Sequence, residues 1–470
     1  MLTRFCFLLF PLLLSAQTYD LVIANGRVMD PESGLDAVRH VGIRNGKIAA
    51  LSSKRLTARK TIDATGLTVT AGFIDLHSHG QTPENYRLKA RDGVTTALEL
   101  EIGVPDVAKW YAERQAKALI HFGASVGHVP VRMVVMKDTG DWLPKDHAIT
   151  KPSSAEDRSA LAALIEKGLR EGALGIGFGF GYTPKAGAEE LQQMFQLAAK
   201  HNRVAFVHMR YGSMGEPGAA ASVHETLALG LVTGAPVHIV HIGASSTHKF
   251  DLAISLVEAA RKRGLDVTVE SYPYVAGMTR IETAIFDPGF QQRLGMTEKD
   301  MLWVATGERL TPETFAKYRK QGGLVATFTN TEEMIRKNIA HPLVMIASDG
   351  IMENGKGHPR AAGTYARVLG KYVREEKALS LMDALRKMSL MPAQRLEKMS
   401  PAMRNKGRIK VGADADIAVF DAAKVKDEAT FAKPDMPSTG IPYVLVNGVP
   451  VVENSAIVET VLPGKGILAQ

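Results

Sequence analysis

Phe73-Ile74-Asp75-Leu76-His77-Ser78-His79 is a short apolar run that ends in two histidines one residue apart. In an extended strand, residues i and i+2 point to the same face, so His77 and His79 can offer both imidazoles to one cation. Further apolar runs at 95–101, 123–127, 173–178, 204–208, 237–241, 267–271 and 344–348 bring the candidate strands to eight. Helical periods separate most of them. One at 155–171 opens with a capping-box-like Ser154-Ala-Glu-Asp157, and others follow at 189–201 and 252–263, the last ending before Gly264. Eight parallel strands, each followed by a helix, specify an α/β fold of the (β/α)8 TIM-like barrel type, usually of about 250 residues. A doubly wound sheet is the competing arrangement. No strand here runs into a Gly-rich phosphate fingerprint, and Gly177-Phe-Gly-Phe-Gly181 has the wrong spacing for one.

Outside the barrel the texture changes. Residues 19–70 alternate short apolar runs with Asn25-Gly26, Asn45-Gly46 and Gly66, and the same pattern returns at 417–420 and 443–446 before Asn447-Gly448. Asn-Gly between alternating runs signals β-hairpins. Neither end has enough strands for a stable sheet alone, so the two are expected to combine in a small β-sandwich. The division expected is a signal peptide at 1–16, a sandwich from 17–70 with 405–470, and the barrel at 71–404.

Arg4, an apolar stretch at 5–14 and Ser15-Ala16 before Gln17 read as an export signal, too short to span a bilayer. The expected location is periplasmic or secreted. Cys6, the one cysteine of the 470 residues, lies inside that signal. Disulfides, thiolate metal sites and cysteine nucleophiles are therefore excluded from the mature chain. With 45% hydrophobic and 23% charged residues the composition is that of an ordinary globular protein. The net charge of +8 is spread without a basic block, so no nucleic-acid partner and no membrane span are expected. Met388 to Met403 recur at helical spacing and are expected on the barrel exterior.

Potential metal ligands stand at the C-terminal ends of strand after strand: His77 and His79, Glu99 and Glu101, His208, His241, Asp349. In a barrel these ends converge on the mouth that carries the active site. Any one of them alone is compatible with a hydrogen-bonded rim residue; five strand ends together point to a metal site. Asp349, in Ile346-Ala-Ser-Asp-Gly350, suits a general base that takes the proton of an attacking water.

Thr70-Ala-Gly-Phe-Ile-Asp-Leu-His-Ser-His79, with Gly26-Arg-Val-Met-Asp30, Gly46-Lys-Ile48 and the distant Gly407-Arg-Ile-Lys-Val-Gly-Ala-Asp-Ala-Asp-Ile-Ala-Val-Phe-Asp421, resembles the amidohydrolase superfamily. Gly93-Val-Thr-Thr96, Val126-Gly-His128, His208-Met-Arg210, Tyr272-Pro-Tyr274, His358-Pro-Arg360 and Gly440-Ile-Pro-Tyr443 are similar, in order, to the D-aminoacylases, or N-acyl-D-amino-acid deacylases. The resemblance implies metal-dependent hydrolysis of the amide bond in N-acyl amino acids, of the D series, with one or two divalent ions, zinc by preference. It places His77, His79 and Asp349 at one metal position and His208 and His241 at the other. It gives Tyr272 a hydrogen bond to the oxyanion, and Tyr182 and Arg360 the substrate carboxylate.

Two departures matter. Ile102 stands where members resembling this chain carry a cysteine ligand, and the fourth strand has no lysine to bridge two metals. Two adjacent cations need an anion between them, and Glu101 is the choice, with Glu99 the alternative. The second departure is His241-Ile-Gly243, which lacks the lysine expected two residues after the histidine. That loss keeps a cyclic-amide hydrolase or a dipeptidase open. A metal-free ligand-binding protein on the same scaffold is the reading outside the enzymes.

Overall fold

The computed structural model describes residues 18–212 and 217–470; the export signal at 1–16 lies outside the described residues. Strands β1 (Tyr19–Asp30), β2 (Leu35–Arg44), β3 (Lys47–Ser52), β4 (Ala58–Asp63) and β5 (Thr68–Ala71) precede the barrel. Eight parallel strands then form one sheet in chain order: β6 (Phe73–Asp75), β7 (Val94–Val104), β8 (His121–Gly127), β9 (Gly175–Gly179), β10 (Val204–His208), β11 (Val237–Ile239), β12 (Val267–Ser271) and β17 (Val344–Ile346). Between the last two lies an insertion of β13 (Ala276–Arg280), β14 (Met301–Trp303), β15 (Glu308–Arg309) and β16 (Leu324–Phe328), an antiparallel sheet in the order β13-β16-β14-β15. A hairpin of β18 (Met352–Glu353) and β19 (Lys356–Gly357) follows, and β20 (Ile417–Phe420), β21 (Tyr443–Val446), β22 (Val449–Glu453) and β23 (Ala456–Ile457) end the series.

Asp75 draws the first and last barrel strands together. Its Oδ1 accepts from the Ser348 amide (2.9 Å) and its Oδ2 from the Ser348 hydroxyl (2.6 Å) and the buried Lys89 ammonium (2.6 Å). Backbone bonds from Asp349 N to His77 O (2.8 Å) and His79 N to Gly350 O (3.1 Å) continue the seam up to the mouth. Alternate strand residues face inward, so Ile74, Leu98, Leu174, Phe206 and Met345 fill the barrel, while Phe73, Ala97, Ala205 and Val207 pack under the helices. The helix Ala155–Arg170 carries the full capping box of Ser154 and Asp157.

The methionine-rich segment departs from expectation. Met388 packs outside the barrel, but Met399 and Met403 join the interior cluster with Leu396 and Ile467 and close the barrel's floor. Unbranched side chains suit that irregular space.

Both chain ends share one nine-stranded sheet, ordered β23-β22-β21-β20-β5-β1-β2-β3 with β4 on β1. It curls until Ile48 and Ala413 exchange backbone contacts, enclosing Ile23, Ile43, Ile62, Ile417 and Leu445. Asn45-Gly46 and Asn447-Gly448 make tight turns with positive φ at both residues. Asn25-Gly26 does not. β1 runs straight through it with a bulge, because a Cβ at position 26 would lie 2.4 Å from Val69 Cγ2 and the register shift brings β5 alongside.

Candidate metal centre

Glu99, at the middle of β7, and Glu101, two residues further along it, reach the mouth, where the seam between β6 and β17 presents His77, His79 and Asp349. His208 ends β10, and His241 follows β11. Backbone strain marks two of these ends, since His241 (φ 32°) and Asp349 (φ 52°) adopt the left-handed region.

Glu101 is the hub. Its Oε2 lies 3.2 Å from His77 Nε2 and 3.1 Å from His79 Nε2, and its Oε1 lies 2.7 Å from His208 Nδ1 and 3.2 Å from His241 Nε2. Within each pair the ring nitrogens face each other at 3.1 Å. Asp349 Oδ1 lies 3.4 and 3.3 Å from His77 and His79 Nε2. Three of the four rings are held from behind: His77 Nδ1 by Glu270 (2.7 Å), His79 Nδ1 by Glu99 (3.0 Å) and His241 Nδ1 by the Ser245 hydroxyl (2.9 Å). When Nδ1 of His77 and His79 donates to these carboxylates, Nε2 of both rings carries a lone pair. The centre therefore converges imidazole nitrogens and carboxylate oxygens that a cation can satisfy together. That donor set fits one or two divalent metal ions.

The surrounding carboxylates make the centre a place that favours positive charge, whether a proton or a metal ion. Burial alone would lower His77, but Asp349 and Glu101 outweigh it and push the ring to about 10. Burial would raise Glu101, but His77, His208 and His241 hold it well below the usual carboxylate range. Asp349 is likewise held low against burial, first by Arg360 and then by His77.

Tyr182 and Tyr272 line the adjoining cavity of about 420 Å³, together with His79, Glu101, His208, His241 and Asp349. Tyr182 Oη meets Thr279 Oγ1 at 3.1 Å. Arg360 lies behind Tyr272 and Asp349, with Nε and Nη1 free of hydrogen-bond partners. It is 1% exposed, stacks 4.5 Å over the Tyr272 ring and directs Nη2 to Asp349 Oδ2 at 3.0 Å. Ile102 is buried on the cavity wall.

Sequence reading missed Glu270 and His238. Glu270 bonds His77 on one oxygen and His238 (3.1 Å) on the other, and His238 ends on Thr268 (2.7 Å). All three occupy inward positions of β11 and β12, where flanking Val237, Ile239, Val267 and Val269 face outward. A polar residue at interior parity was the available signal. His121 opens β8 and joins a buried network with Asp416 (3.1 Å) and Lys406 (3.0 Å). His128 and Arg132 bind Glu190 away from the centre.

A cluster of this composition at the C-terminal mouth of a (β/α)8 barrel is the setting of a metal-dependent hydrolase. The chain belongs to the amidohydrolase family, whose model matches residues 60–452. It is similar to the N-acyl-D-glutamate deacylase of Alcaligenes xylosoxydans xylosoxydans, 29% identical over 471 residues, covering 91% of this chain and 93% of the relative. The D-aminoacylase of the same organism is 28% identical over 494 residues, covering 94% and 96%. Among solved structures, the N-acyl-D-glutamate deacylase from Bordetella bronchiseptica, complexed with zinc and a phosphonate inhibitor that mimics the tetrahedral intermediate, matches with a TM-score of 0.83. Identity there is 27%, covering 96% of this chain and all of that one.

Proposed function

We propose that this protein hydrolyses the amide bond of N-acyl D-amino acids at a centre of one or two divalent ions, zinc by preference. The observation that carries the reading is the single carboxylate of Glu101 in reach of both histidine pairs. The names of the two relatives and the zinc and phosphonate of the solved deacylase support it. His77, His79 and Asp349 would hold one ion and His208 and His241 the other, with Glu101 shared and Glu99 left to orient His79. Bound zinc would polarise the amide carbonyl and ease deprotonation of the attacking water.

The chain's own groups perform the rest. Asp349 stays ionised beside Arg360, accepts the water proton and returns it to the leaving amine. Burial pushes the Tyr272 hydroxyl up, so it remains protonated and donates to the oxygen that gains charge. Tyr182 presents its ring beside His208 (4.7 Å) and shapes the substrate side of the centre.

A second reading, hydrolysis of a cyclic amide or a dipeptide, is favoured by the missing cation at Gly243. Zinc-loaded protein offered N-acetyl-D-leucine, N-acetyl-L-leucine, a D-containing dipeptide and a hydantoin separates the two. Turnover of the N-acetyl D substrate above the rest is expected; turnover of the hydantoin or dipeptide alone would replace the first reading by the second. We also propose export, on the leader-like residues 1–16, checked by the mass of the protein recovered from a bacterial periplasm.

A further inference from the structure

The cavity beside the centre has two kinds of wall. One side is the histidine and carboxylate cluster. The lining also includes Met209, Met278, Met296, Ile285, Phe286 and Leu294, most of them contributed by the insertion between β12 and β17, which adds the hydroxyls of Thr279 and Thr327. Two cations also line the cavity, Arg210 and Arg293. Arg210 is consumed by Glu225, which it grips through Nε and Nη2 at 3.0 and 2.8 Å. Arg293 is held by backbone carbonyls of Ile285 (3.3 Å), Asp287 (3.0 Å) and Pro288 (2.8 Å), and has no carboxylate partner among the described residues. Asp287 also lines the cavity, and its carboxylate is occupied by Arg319 (2.6 Å).

Charge counting therefore limits the substrate. An N-acyl amino acid brings one α-carboxylate, which Arg293 can balance. A substrate with an acidic side chain brings a second carboxylate, for which the rest of the lining offers thioethers, rings, aliphatic groups and neutral hydroxyls such as those of Thr279 and Thr327, but no further cation free of a carboxylate among the described residues. Stripping a carboxylate of water against such a wall is costly. An apolar side chain loses nothing polar there, and methionines adapt to its shape.

We infer that the substrate is an N-acyl amino acid with an apolar side chain, its single carboxylate balanced by Arg293, and that acidic amino acids are poor substrates although the protein resembles a glutamate-specific deacylase. This inference rests on the deacylase reading and narrows it.

The test is kcat/KM of the zinc-loaded protein for N-acetyl-D-leucine, -D-methionine, -D-phenylalanine, -D-glutamate and -D-aspartate. The three apolar substrates are expected to exceed both acidic ones by about 100-fold or more, as unpartnered burial of a charge demands. Met278→Lys, which sets an ammonium in the apolar wall with a side chain of similar length, should shift the ratio toward glutamate at least about tenfold. Leu294→Lys serves the same purpose at another point of the wall. Arg293→Met should raise KM for all five substrates by a similar factor. A preference for glutamate or aspartate in the parent protein overturns the inference and leaves the deacylase reading standing. Failure to hydrolyse any of the five overturns both. An unchanged KM in Arg293→Met, or an unchanged ratio in both lysine variants, refutes the charge count.

Discussion

Glu101→Gln keeps the volume of the hub and removes its charge. Two divalent ions about 4 Å apart, the usual spacing of paired sites, repel by about 332 × 4/(20 × 4), or roughly 17 kcal/mol, at an effective dielectric near 20. The proposed shared carboxylate would offset that repulsion. On the proposed ligand set, the geometry bears on which ion would leave. The His77 and His79 side retains Asp349 at 3.3 to 3.4 Å, with Glu99 and Glu270 directly behind the rings. The His208 and His241 side has no carboxylate but Glu101 in hydrogen-bonding reach among the described residues. Elemental analysis after dialysis against metal-free buffer should find about one ion fewer per chain in Glu101→Gln, with catalysis reduced on the order of 10- to 100-fold or more at saturating metal. Glu99→Gln should hold the parental count, because Glu99 meets the outer nitrogen of His79 and the Gly103 amide rather than the inward-facing nitrogens. Equal counts in the parent and both variants would refute a glutamate bridge, and a fall in Glu99→Gln alone would move it to position 99.

Three further outcomes follow from the same geometry. Asp349→Asn should lower kcat by at least about 100-fold, as loss of a general base does, with retained turnover placing the base elsewhere. Glu270→Gln should weaken metal binding by about 10- to 100-fold in a competition titration, since His77 loses the anion that fixes its tautomer; an unchanged affinity would make Glu270 a packing residue only. Buried Glu190 is brought down to about 2 by His128 and Arg132 against its burial. Its folded value lies below its unfolded one, so its contribution of about 3 kcal/mol is present above pH 4.5 and fades as pH falls toward 2. The stability gap between the parent and Glu190→Gln, from urea titrations at each pH, should narrow across that window, and a constant gap would contradict it.

Much of this was legible in the chain because barrel strands announce themselves twice, by apolar runs and by what stands at their ends. All eight strand positions were readable, and so was the pairing of His77 with His79, since i and i+2 spacing carries direct geometric meaning. The distinction between Glu99 and Glu101 was not. Both sit on one face of β7, and only the three-dimensional spacing of His208 and His241 puts one of them in the middle. The pairing of Arg360 with Asp349 was not legible either, because a motif says where a residue falls in the chain but not which side chain it meets. Glu270 and His238 escaped because interior parity in a barrel becomes visible only when strand register is known. The insertion from β13 to β16 was hidden for another reason: its strands are two to five residues long, within the range of ordinary loops.

The sheet shared by both ends of the chain has a kinetic side. β5 pairs with β20 through Ala71 and Ile417, residues 346 positions apart (417 − 71). Closing a loop of that length costs about 5 kcal/mol of chain entropy, and no partner for β5 at that edge exists until residue 417 has emerged from the ribosome. Until then the apolar faces of Val69 and Ala71 and the free edge of β5 stay exposed to other chains. Aggregation during synthesis should therefore originate in the first fifty or so described residues rather than in the barrel, and a helper that shields nascent strands should raise the yield of folded protein without changing its final stability.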